Sequence, residues 1–111
     1  MARTYYRKLI RDRIPEIVAA RGLRCRTRRL SPAAYARALK EKVIEESREL
    51  LGARGRAAVL NELADLRELL DACRRALGVG PKAFARLVRG KRLARGGFRK
   101  RLFLEYTEKP R

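Results

Sequence analysis

Residues 31–77 read SPAAYARALKEKVIEESRELLGARGRAAVLNELADLRELLDACRRAL, and this stretch decides the architecture. Ser31 before Pro32 is a helix start, an N-cap side chain followed by a proline at the first helical position. From there the apolar spacing runs to about Leu51 and stops at Gly52. Leu39, Val43, Glu46 and Leu50 follow one another in steps of four, three and four, which marks the face a helix turns toward its core. A second helical stretch spans Arg56 to Leu77, with Val59, Leu63, Leu66, Leu70, Cys73 and Leu77 as its expected seam.

One member of the first stripe is out of place. Glu46 stands among apolar residues, where an unpaired carboxylate is costly. It also belongs to a pattern, since Glu46 with Glu49 and Glu62 with Asp65 form two i, i+3 pairs. That spacing puts both members of a pair on one helical face, so two packed helices can aim four carboxylates at one point. The chain holds 12 acidic residues against 30 Lys and Arg, yet eight of the 12 fall between Glu41 and Asp71. A hard divalent cation such as Mg2+, with Mn2+ as the alternative ion, would remove the cost and give the arrangement a purpose.

Outward from this stretch, Ile10 to Arg21 reads as a short helix closed by Gly22, with Pro15 tolerable only in its first turn. Leu23 to Leu30 is too basic and irregular for a helix and is expected as a short strand. Pro81 begins a further helix that ends near Arg95 before Gly96 and is expected to turn Phe84, Leu87 and Val88 inward. Phe98 to Thr107 alternates loosely and suits a terminal strand pairing with Leu23 to Leu30. The fold class expected is mainly α, four helices with a small peripheral β-sheet, in a single domain over residues 1–111.

Composition narrows the function classes. With 46% apolar residues the chain is globular, and no apolar run approaches the roughly 20 residues of a membrane span. Its start lacks the apolar core of a signal peptide, so a cytoplasmic product and no membrane partner are expected. There is no histidine, and Cys25 and Cys73 stand 48 residues apart without a CxxC, which argues against a Cys/His zinc site and for two free thiols. The net charge of +18 predicts attraction to polyanions, including weak, non-specific nucleic-acid binding. Since 23 of the 30 basic residues are Arg, coding bias explains part of that excess equally well.

The run Glu45-Glu46-Ser47-Arg48-Glu49, followed after 12 residues by Glu62-Leu63-Ala64-Asp65, resembles the signature of the all-alpha nucleoside triphosphate pyrophosphohydrolases, the MazG-like superfamily that includes phosphoribosyl-ATP pyrophosphohydrolase. The opening Lys8-Leu9-Ile10-Arg11-Asp12-Arg13-Ile14-Pro15-Glu16 and the closing Arg95-Gly96-Gly97-Phe98 are similar to its compact branch of predicted house-cleaning enzymes for noncanonical nucleotides. The resemblance implies Mg2+ held by Glu46, Glu49, Glu62 and Asp65, with Glu45 beside them in the catalytic set. It further implies that Lys91 and Arg95 meet the triphosphate. Lys8 and Arg11 join the expected substrate-binding residues through the opening motif, without an assigned role. The activity implied is Mg2+-dependent release of pyrophosphate from a nucleoside triphosphate, leaving the monophosphate, by a homodimer or higher homo-oligomer. The alternative is a non-catalytic basic module that binds nucleic acid on the same helical scaffold. Four carboxylates would serve it poorly, because without a metal they repel phosphate.

Overall fold

The computed structural model describes residues 2–111 and contains four helices: α1 (Ile14–Ala20), α2 (Pro32–Gly52), α3 (Arg56–Ala76) and α4 (Pro81–Arg95). The chain divides into two compact units, one ending at Val79 and one spanning Gly80–Arg111. No helix is long and apolar enough to cross a membrane among the described residues.

The first unit is built on α2 packed against α3. The start of α2 follows from its sequence: the Ser31 Oγ accepts a hydrogen bond from the Ala34 N–H at 3.2 Å, and Pro32 occupies a position whose missing N–H has no helical partner to lose. Between the two helices the chain turns at Gly55, whose φ of +84° is open to glycine and strained for other residues. The two buried residues of α2 are Leu39 and Glu46, with Val43 and Leu50 half-buried beside them, so the expected stripe is the inward face.

On α3 the inward face is rotated from the expected seam. Val59, Leu66 and Cys73 are half-buried as expected, but they share that face with Glu62, Asp65, Leu69 and Ala72. Leu63 and Leu70 are instead about half exposed, and Leu77, just past the helix end, is 80% exposed. Turning two carboxylates inward moves the leucine stripe to the flank.

Two further expectations are corrected. α1 begins at Ile14 rather than Ile10, because Pro15 can stand only in the first turn; residues 10–13 are therefore non-helical. There is no strand among the described residues, so the peripheral sheet does not exist. Leu23–Leu30 carries Arg24, Arg26, Arg28 and Arg29, which leaves neither alternate face apolar, and an isolated two-stranded pairing has little stability of its own.

The second unit consists of α4 and the non-helical residues that follow it. Pro81 opens the helix and Gly96, with φ of +81°, ends it. All residues of this unit are exposed. Phe84, Leu87 and Val88 were expected to face inward, but they lie open, with Phe84 and Val88 the more sheltered.

Candidate metal centre

Five carboxylates gather where α2 and α3 pack together, in two groups of three that share Glu46. The ligand atoms of Glu46, Glu62 and Asp65 all lie within 4.8 Å of one another, as do those of Glu45, Glu46 and Glu49. Glu46 belongs to both groups. It is the most enclosed of the five, 8% exposed, whereas Glu45, Glu62 and Asp65 are half-buried and Glu49 is exposed at the rim. The gradient follows from helix geometry, because Glu46 lies on the stripe of Leu39 while Glu45 and Glu49 lie on its edge.

The electrostatics are unfavourable as they stand. Burial pushes the Glu46 carboxyl up from its ordinary 4.5 to about 7, and the adjoining carboxyls of Glu49, Glu62 and Asp65 add to the effect. Glu46 Oε2 and Glu62 Oε2 are both buried and receive no hydrogen bond. Buried acceptors normally find a donor, so two unpartnered carboxyl oxygens on different helices call for a shared proton or a cation between them. A hard cation that takes oxygen ligands suits this donor set, which contains no nitrogen or sulfur. The residues present therefore fit a divalent metal such as Mg2+ or Mn2+.

Basic side chains surround the cluster. Arg11 Nη2 donates to Asp65 Oδ1 at 2.6 Å, Lys8 Nζ lies 3.8 Å from Glu45 Oε1, and Lys42 Nζ lies 3.5 Å from Glu45 Oε2. The opening motif thus brings Lys8 and Arg11 to the acidic helices, a placement that the sequence left without a role. Lys42 was missed at the sequence level, although its i, i+3 spacing from Glu45 announces the pair. Lys91 and Arg95 stand four residues apart on α4 in the second unit, both exposed.

The remaining chemistry-bearing residues form nothing comparable. Cys25 and Cys73 are free thiols, Cys25 exposed and Cys73 half-buried. Cys73 lines an apolar hollow of about 130 Å³ with Ala36, Leu39, Lys40, Ala76 and Leu77.

No protein-family model matches this sequence, and comparison with curated proteins and with solved structures gives no match either.

Proposed function

We propose that the chain is a Mg2+-dependent nucleoside triphosphate pyrophosphohydrolase of the MazG-like all-alpha type, working in the cytoplasm on noncanonical or surplus nucleotides. The observation that carries this reading is Glu46: a carboxyl group buried at the α2–α3 interface, one oxygen without a donor, with Glu45 and Glu49 grouped on one side of it and Glu62 and Asp65 on the other. No packing purpose is served by such an arrangement. A cation site explains it, and the two i, i+3 pairs in their order match the resemblance described above.

Glu46, Glu49, Glu62 and Asp65 would hold the metal, and Glu45 would stand beside them. When bound, the metal supplies charge neutralisation on phosphoryl oxygens and a bound water of lowered pKa. The chain's own contribution is rigidity and charge. Paired carboxylates one helical turn apart on packed helices fix the ligand geometry, and the half-buried setting limits competing water. Lys91 and Arg95, exposed on α4, are cations of a kind suited to phosphate oxygens. No nucleophilic side chain is needed, in keeping with the absence of histidine.

A second copy of the chain completes the proposal. Leu39 is the one apolar side chain fully buried among the described residues, whereas Ile44, Leu51, Leu60, Leu63, Leu70 and Leu77 of α2, α3 and the α3 end are exposed. The other apolar side chains of α2 and α3 are at best half-buried, so burial within one chain offsets only part of what ordering it costs. Leu63, Leu70 and Leu77 recur every seven residues, as do Ile44 and Leu51, the spacing with which helices meet helices of another copy. A homodimer or larger assembly would bury them.

The competing reading, a non-catalytic nucleic-acid binder, draws on the second unit. Its 32 residues carry eleven Lys and Arg against Glu105 and Glu108, a net +9, all exposed. A pyrophosphate-release assay over canonical and damaged nucleotides, with and without Mg2+, separates the two. The enzyme reading expects Mg2+-dependent release, lowered at least a hundredfold (~100) by Glu46→Gln or Asp65→Asn. No release from any nucleotide, together with tight, sequence-selective nucleic-acid binding, would favour the binder.

A further inference from the structure

The contact between Arg11 and Asp65 joins residues 54 positions apart and ties a non-helical segment to a proposed metal ligand. At 2.6 Å it is the shortest ion pair among the described residues. Asp65 is grouped with Glu62 and the buried Glu46, whose Oε2 has no donor. The guanidinium therefore supplies positive charge to this group from outside, while leaving the buried oxygens unserved. Its side chain is 58% exposed, against 33% for Asp65. Arg11 thus reaches the cluster from the solvent side.

Resting on the metal-centre reading above, we infer that Arg11 is an exchangeable counter-ion. It neutralises Asp65 while the cation is absent, and it turns to the triphosphate once the cation has taken over that carboxylate. Three features support the exchange. A carboxylate bound to a divalent ion no longer needs the guanidinium charge, so the pair weakens when the metal arrives. The incoming triphosphate brings several negative charges, and the planar guanidinium fork matches phosphate oxygens as well as it matches a carboxylate. The neighbouring cation has its own link to α2, because Lys8 lies 3.8 Å from Glu45, so the segment keeps a second ion pair when Arg11 lets go. Arg11 would therefore oppose the metal alone and favour the metal with triphosphate. It acts as a positioning and substrate-capturing residue.

Opposite effects on two ligands make the test. Mn2+ alone is titrated calorimetrically into the full-length wild type, Arg11→Gln and Arg13→Gln. The titration is then repeated at saturating Mn2+ with a nucleoside triphosphate whose α–β bridge is methylene and so resists pyrophosphate release. Arg13 pairs with Glu16 outside the cluster, so Arg13→Gln removes the same charge without touching the site. The expected result is Mn2+ binding about threefold tighter in Arg11→Gln, the scale of an exposed ion pair. Analogue binding becomes at least tenfold (~10) weaker, and Arg13→Gln stays within about twofold of wild type for both. Far-UV circular dichroism shows that the variants keep their helices. If Arg11→Gln leaves both affinities unchanged, or weakens both together, Arg11 only pins the segment and the exchange is wrong. If the wild type binds neither Mn2+ nor the analogue, the metal-centre reading fails and the exchange falls with it.

Discussion

Replacing Glu46 with glutamine should stabilise the metal-free protein while weakening its response to metal. The carboxyl is raised from 4.5 to about 7, first by burial and then by Glu49, Glu62 and Asp65. Because the folded value lies above the unfolded one, the folded state holds a proton that the unfolded state has already released between those values. Stability of the metal-free form is therefore full below about pH 4.5, declines as pH rises to about 7, and is level above. At about 1.4 kcal/mol per pH unit across that window, the loss from Glu46 is roughly 3 kcal/mol by pH 8. Glutamine keeps the shape, cannot ionise, and offers an amide donor to the orphaned Glu62 Oε2. Urea denaturation in chelator from pH 4 to pH 9, at fixed protein concentration, measures the difference between wild type and variant. The variant should match the wild type in acid and exceed it by a few kcal/mol at pH 8, and a given Mg2+ concentration should stabilise the wild type more than the variant. A difference that does not vary with pH, or a variant less stable than wild type at pH 8, would refute the account of Glu46 as an unpaired buried acid.

Other outcomes follow from the same geometry. Leu70→Lys, on an exposed flank of α3, should convert a dimer or larger species in sedimentation velocity to a monomer; a wild type monomeric at tens of micromolar would remove the case for assembly. Lys91→Ala or Arg95→Ala should raise the Michaelis constant or lower turnover on a triphosphate, and added salt should weaken the wild type similarly. Unchanged kinetics would make α4's basic residues a solvated face. Nucleic acid should bind weakly through Gly80–Arg111, in proportion to its net +9, with steep salt dependence, no sequence preference and no need for Mg2+. Sequence-selective binding would contradict this.

The helices were legible in the sequence because their ends are written in residues with few alternatives. Ser31-Pro32 and Gly52 bracket α2, and Pro81 and Gly96 bracket α4. Glu46 was legible as well, since a carboxylate on the Leu39 stripe breaks the apolar periodicity. The absence of strands was not, because loose alternation in Phe98–Thr107 sets only which side chains share a face and supplies no partner to pair with. The seam of α3 was misplaced for a related reason: the spacing of Leu63 and Leu70 fits an inward helical face as well as the exposed flank where they stand. The pairing of Arg11 with Asp65 depends on tertiary packing across 54 positions, which local spacing cannot carry.

The central claim is that Glu46, Glu49, Glu62 and Asp65 together hold one or more divalent cations. Direct calorimetric titration of Mn2+ into the wild type, Glu46→Gln and Asp65→Asn tests it without reference to any substrate. The account predicts saturable binding by the wild type, competed by Mg2+, and affinity at least tenfold (~10) weaker in either variant. A wild type that binds no Mn2+, or variants that bind it as tightly as the wild type, would contradict it.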